Sequence, residues 1–191
     1  MKRQTIFAAI LAGGFMYAKS LFGQDTNLWT WPPTRLGSFE TNVGTIVLRA
    51  TAPIGVVAAG AGMLNIKCRE IASFEANRYE NGLEITIAQP GVFEDTMLVD
   101  FEEVDSLIKA ADFLEKVDWT ITTMPAFNVT YTTKAGLRLT AFGSRRTGGI
   151  EFAARCVTTG HPPLRLARDQ LGQIKSLIEQ AKSKLEALRK G

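Results

Sequence analysis

Residues 45–52 (T-I-V-L-R-A-T-A) alternate apolar or β-branched positions with small and polar ones, the two-residue period of a half-buried strand. Pro53-Ile54-Gly55 predicts a break there, and the glycines at 55, 60 and 62 predict a bulge or an edge where another backbone comes close. They lack the order of a dinucleotide or phosphate loop. Further strands are predicted at residues 63–74 and 83–88, joined by a turn cluster over 77–82 in which Asn81-Gly82 is a strong hairpin signal. A short strand at 97–99 runs into Asp100-Phe-Glu-Glu103, where an acid followed three residues later by Glu reads as a capping box. Val104, Leu107, Ile108, Ala111 and Leu114 then recur at i, i+3, i+4, the stripe of a helix with one face in a core.

The same order returns in the second half. Strands are predicted near 127–133, 137–142 and 149–157, followed by Pro162-Pro163, a short apolar stretch at 164–166, and a long helix over about 168–189. Its apolar stripe is Leu171, Ile174, Leu177, Ile178, Ala181 and Leu185. A gapless shift of 67 residues places Gly82 on Gly149, Glu84 on Glu151, Ile85 on Phe152, Val99 on Leu166, Val104 on Leu171 and Leu107 on Ile174. The predicted fold class is α+β: one domain over 45–191, built of two β-meander-plus-helix halves (about 45–120 and 121–191) related by a pseudo-twofold. Residues 119–126 are too few and too apolar for a free linker, so the halves are expected to pack into one cooperative unit.

The order of elements, with L-R-L-A-R-D-Q-L-G-Q-I-K-S-L over 164–177 entering the last helix, resembles the Whirly and PUR families over residues 63–188. In those families, strand-rich halves that each end in a helix pair to bind single-stranded nucleic acid. The resemblance implies a topology of that type and, as an alternative function, a single-stranded nucleic-acid module using Arg138, Arg145, Arg146 and Arg155. Such modules present basic and aromatic residues on the sheet. Here the first meander offers Glu70, Glu75, Glu80 and Glu84 beside Lys67 and Arg69, and the second has few aromatics. Nucleic acid is therefore the less favoured partner. Residues 97–116 also resemble a segment of an uncharacterised family of exported bacterial proteins.

The N-terminus changes the compartment. Met1-Lys2-Arg3 precedes an apolar run over 6–18 that ends at Lys19, the build of an export signal. About 13 residues rise only ~20 Å as helix, short of a ~30 Å hydrocarbon core. Residues 1–23 are thus expected to be a signal peptide cleaved between 18 and 24, leaving a periplasmic or secreted chain with no transmembrane span. Residues 24–44, centred on Trp29-Thr30-Trp31-Pro32-Pro33, are expected to form an extended arm. Trp29 and Trp31 point the same way on such an arm, either to anchor a partner or to strap over the domain.

Apolar residues make up 46% and charged residues 21% of the 191, an ordinary globular balance. The net charge of +3 equals the contribution of Lys2, Arg3 and Lys19, so the chain beyond them is neutral, which argues against a nonspecific polyanion binder. The neutrality hides a division: residues 24–125 carry 15 acids and 7 bases, residues 126–191 carry 4 acids and 12 bases.

Candidate chemistry is sparse. Cys68 and Cys156 are the only thiols, open to a disulfide in an exported protein or to two buried side chains in strands. With a single histidine they give no zinc spacing, and no metal or cofactor is expected. His161 would have to serve any base–nucleophile pair, with Cys156 or Ser144 as its partner, but neither sits in a nucleophile motif. The acids between 94 and 105 lack the order of a calcium loop and suit a helix start. No catalytic residue is assigned. The expected function is an exported, non-enzymatic binding or scaffolding protein for an unknown protein or envelope ligand, with dimerisation open. An enzyme with an unrecognised site is the second alternative.

Overall fold

The computed structural model describes residues 33–40, 44–73 and 77–189. Residues 1–23, expected to be a signal peptide, and Trp29 and Trp31 lie outside them.

Strand β1 (Val47–Ala59) continues through the expected break at Pro53. It is the edge of a sheet ordered β1-β2-β3-β4, where a proline can sit without removing a ladder bond, and a register shift between Pro53 and Gly55 absorbs the irregularity as a bulge. Gly55 is needed there because a Cβ would lie 2.6 Å from Leu177 Cδ2. β2 (Gly62–Ser73), β3 (Arg78–Ala88) and β4 (Asp95–Asp100) complete an antiparallel meander. The Asn81-Gly82 turn is not formed. Both residues lie inside β3, opposite Glu70 and Arg69 of β2, and the reversal comes earlier, with Asn77 at φ 47°. The local turn signal is overridden by pairing on both sides.

A six-residue helix, α1 (Arg35–Glu40), stands where the extended arm was expected. Its cap is remote: Arg35 N and Leu36 N donate to the two carboxylate oxygens of Asp100, at 2.9 and 3.1 Å. Thr34 Oγ1 also accepts from Gly37 N, at 2.9 Å. Leu36 and Phe39 are buried with Ile71 on the outer face of the first sheet, packed by Val47 and Leu98. Gly82 makes room for this helix, since a Cβ would strike the Val99 carbonyl oxygen and lie 2.7 Å from Leu36 Cδ1. Asp100 therefore does not cap the helix that follows it. A 3-10 turn, Phe101–Glu103, intervenes, and α2 (Val104–Lys116) has Glu103 at its N-cap position with no side-chain cap bond.

The second half repeats the meander as β5 (Ala126–Thr132), β6 (Leu137–Ser144), β7 (Gly149–Cys156) and β8 (Leu164–Leu166), followed by α3 (Arg168–Arg189). The fold is α+β, with two four-stranded antiparallel sheets. The helices are exchanged: α3 packs on β1, β2 and β3, and α2 packs on β5 and β6. They run antiparallel against each other, tied by Lys175–Asp112 at 2.5 Å and Lys182–Asp105 at 2.7 Å. Leu64, Ile66 and Ile85 of the first sheet share one core with Leu139 and Ala154 of the second and with Leu107 and Ile174 of the helices.

The 67-residue shift holds in the helices, where buried Val104, Leu107, Ala111 and Leu114 match buried Leu171, Ile174, Ile178 and Ala181. It slips in the strands. Ile85 faces Met97, yet Phe152 faces Leu166 rather than Leu164. A slip of two residues preserves which face each side chain takes. Cys68 and Cys156 are free, buried thiols, so the candidate disulfide is not formed. Cys68 faces α3, with Sγ 3.6 Å from the Ala181 carbonyl oxygen, and Cys156 ends a strand of the other sheet. Burial raises the pKa of Cys68. No helix among the described residues is long and apolar enough to cross a membrane.

Candidate functional site: the outer face of the second sheet

Alternation along the strands assembles this face. β6 buries Leu137, Leu139 and Ala141 and turns Arg138, Thr140 and Phe142 outward. β7 buries Phe152, Ala154 and Cys156 in the common core and sends Glu151, Ala153 and Arg155 to the outer side. On β5, Phe127, Val129 and Tyr131 pack against that core, leaving Asn128, Thr130 and Thr132 outside.

Register sorts these side chains into rows. Thr132, Arg138 and Arg155 lie side by side, Thr130, Thr140 and Ala153 form the next row, and Asn128, Phe142 and Glu151 the third. The result is a depression of about 270 Å³. Its floor is the short-side-chain row. One end is walled by the two arginines and Pro163, the other by Phe142 and Asn128. Phe142 is 38% exposed, while Ala153, on the floor, is 8% exposed.

The electrostatics are unusual for a sheet. Arg138 and Arg155 are directly opposed across the β6–β7 ladder, an arrangement in which like charges destabilise the pair. Arg138 Nε donates to Thr132 Oγ1 at 3.1 Å, a neutral acceptor. Among the described residues, Arg155 has no hydrogen-bond or ion-pair partner. The nearby acid, Glu151, is paired instead with Arg165, at 2.8 Å. Two half-buried guanidiniums are left facing the depression without a carboxylate.

The other arginines named from sequence separate from this pair. Arg145 donates from Nη2 to the carbonyls of Trp119 and Thr122, at 3.1 and 3.0 Å, and from Nε to that of Met124 at 3.2 Å. Its guanidinium also sits 5.1 Å from the Trp119 ring centroid, so it staples the loop between the halves. Arg146 is exposed in the β6–β7 turn, at the end of the hairpin away from Arg138 and Arg155. Phe142 and Thr140 were not singled out from sequence. The two-residue alternation of residues 137–142 was the available signal.

His161 has a partner, but not a nucleophile. Its Nδ1 lies 2.8 Å from Asp95 Oδ1, a buried carboxylate at the start of β4. Gln89 Nε2 donates to the Pro162 carbonyl at 2.8 Å, so the segment before β8 is tied to the first sheet twice. Cys156 Sγ is 3.0 Å from Thr158 Oγ1, and Ser144 stands at the opposite end of the β6–β7 hairpin. Glu103 is a partly buried acid between the halves. Burial pushes its pKa up against the opposing bond from Lys134 N, which donates to Oε1 at 2.9 Å, and Oε2 has no partner among the described residues. No cluster of three metal-ligating side chains occurs among the described residues.

No protein-family model matches the chain, and no curated protein or solved structure matches it.

Proposed function

We propose that the protein is an exported, non-enzymatic binding protein whose ligand face is the outer surface of the second sheet. One observation carries the reading: Arg138 and Arg155 are opposed on the outer face of the sheet with no carboxylate among the described residues to neutralise them. Holding like charges together lowers stability, and a bound anion removes that cost through charge-assisted, two-pronged hydrogen bonds. The non-enzymatic part rests on His161, whose Nδ1 is directed to Asp95 while Cys156 and Ser144 lie elsewhere. The export part rests on residues 1–23, and envelope fractionation tests it.

Titration calorimetry with anionic ligands tests the face. Binding is expected for the native chain and at least a tenfold loss for the Arg138→Gln/Arg155→Gln double variant, at unchanged secondary structure. Reproducible turnover abolished by a single side-chain change would overturn the non-enzymatic reading.

A second reading, a single-stranded nucleic-acid module, draws on Phe142 sharing the face with the two arginines. It requires affinity for oligonucleotides that falls steeply with salt, because each phosphate contact releases counterions.

A further inference from the structure

We infer that the face takes one compact oxyanion carried on a small ring, a sugar phosphate or a nucleoside monophosphate, rather than a run of phosphates along a chain. The inference rests on the proposed ligand face and specifies its ligand.

The number of arginines on this face without a carboxylate among the described residues sets the number of acid groups. Of the arginines in and around the second sheet, Arg145 is occupied by three carbonyls and Arg165 by Glu151, while Arg146 lies at the far end of the hairpin. That leaves Arg138 and Arg155, and they are adjacent rather than strung along the face. Two neighbouring forks converge on a single tetrahedral group and match the two charges of a phosphate monoester. A polymer would find one clamp and no second.

The rest of the depression describes what carries the acid. Across the floor from the arginines, Phe142 offers a partly exposed ring face, suited to the flat or C–H-rich side of one ring. Between them, Thr140 brings a hydroxyl that both donates and accepts, while Thr130 Oγ1 donates to Asn128 Oδ1 at 3.1 Å and leaves its own lone pairs as acceptors and the Asn128 amide N–H groups as donors. These are the partners for ring hydroxyls or base edges. Ala153 keeps the floor open, and Pro163 closes the arginine end. Among the described residues Phe142 is also the one aromatic lining the depression, so they offer successive bases no stacking platform.

Equilibrium titration of the full chain tests this with inorganic phosphate, glucose 6-phosphate, thymidine 5′-monophosphate and an oligodeoxythymidylate of about eight nucleotides, a length within the usual single-strand site size. At least one ring phosphate is expected to bind tenfold or more tightly than inorganic phosphate, and the tighter of the two identifies the source. Arg155→Gln is expected to weaken it at least tenfold. Phe142→Ala is expected to reduce it to the level of inorganic phosphate while leaving inorganic phosphate itself unchanged. The oligonucleotide is expected to bind no more tightly than the monophosphate, with a logarithmic salt slope near about −0.7, that of one phosphate. Affinity rising with chain length, with a slope of several phosphates, would overturn the inference in favour of the nucleic-acid module. Inorganic phosphate binding as tightly as both ring phosphates would overturn it while leaving the ligand face standing. If no anion binds and the arginine variants behave like the native chain, the ligand face itself falls.

Discussion

The outer face of the first sheet carries Arg49, Lys67, Arg69 and Arg78; the first three each meet a carboxylate, and Arg78 lies over the Phe39 ring of α1, 4.6 Å from its centroid. Glu84 accepts from Lys67 Nζ at 2.8 Å and from Arg69 Nη1 at 3.2 Å, while Glu40 accepts from Arg69 Nη2 at 2.5 Å and from Arg49 Nε at 2.7 Å. The outer face of the second sheet carries Arg138 and Arg155, and among the described residues neither meets a carboxylate. The two sheets share strand order and antiparallel pairing, so architecture does not make the difference. Glu84 and its repeat partner Glu151 do: the first neutralises two cations of the neighbouring β2, whereas the second turns to Arg165 on β8. The first face also carries α1, whose Glu40 completes the network. One face uses its cations in a network with carboxylates, and the other leaves two cations without one among the described residues.

The two repeat-related glycines separate these uses most sharply. At Gly82 a Cβ would meet the Val99 carbonyl and Leu36 of α1, whereas at Gly149 nothing lies within 4 Å of the same atom. Gly82→Ala is expected to cost about 3 kcal/mol through overpacking against backbone, a fall in Tm of roughly 6–12 °C for a chain of this size. Gly149→Ala is expected to stay within about 0.5 kcal/mol of the native chain. Thermal unfolding of both variants checks the pair, and equal costs would remove the assigned difference between the faces.

Asp100 is the next test, because it holds α1 on the first face from 64 residues away in sequence. Asp100→Ala leaves the Arg35 and Leu36 amides without their acceptor and is expected to cost about 2 kcal/mol. Asp100→Asn keeps one acceptor oxygen and is expected to recover about half of that. Denaturant titration reads both. If Asp100→Ala instead melts only α2, the cap belongs to the helix that follows it after all.

This cap shows where sequence reasoning ended. The helices α2 and α3 and the strands of the second half were legible because their apolar periods extend over enough residues to outweigh local noise. Helix α1 was not: it has six residues, two apolar anchors and a cap supplied by another element. Asn81-Gly82 failed for a related reason. The dipeptide satisfies a turn rule locally, but Gly82 is small because a helix approaches it. At the candidate site, alternation was enough to put Arg138, Thr140 and Phe142 on one face. That Arg155 stands opposite Arg138 requires register, and that Arg145 is occupied requires the loop it staples. Facing was readable from period, whereas pairing depended on tertiary structure.

Protonation separates the faces more gently. Burial alone would raise the pKa of Glu40, but the bonds and charges of Arg49 and Arg69 outweigh it and hold the carboxyl below the usual glutamate value. A lowered pKa in the folded state contributes stability above the unfolded value, and that contribution is lost as pH falls through the folded one. Glu40 is partly exposed, so the contribution is about 1 kcal/mol or less. Glu40→Gln is therefore expected to be slightly less stable than the native chain at pH 7. The two should converge in acid below the lowered pKa. Denaturant midpoints across pH check the convergence, and a gap that widens in acid would contradict the sign.

The smallest effect has the opposite sign and bears most directly on the second face. Arg155→Gln removes one member of an opposed like-charge pair without opening a cavity, because the side chain is half-buried over a depression rather than packed in the core. Cross-strand pairs of this kind are worth about 0.2–1 kcal/mol, so the variant is expected to be more stable by a few tenths of a kcal/mol, a rise of about 1–2 °C in Tm. Added phosphate should reverse the order. The native chain gains stability by mass action as the anion occupies the clamp, and the variant gains little. On the first face the matching change, Lys67→Gln, removes a partner of Glu84 and is expected to lower stability in either buffer. Parallel melts of the two variants with and without phosphate therefore read the comparison as a difference in sign. If Arg155→Gln loses stability in phosphate-free buffer, Arg155 already has a compensating partner within the molecule, and the second face is built like the first.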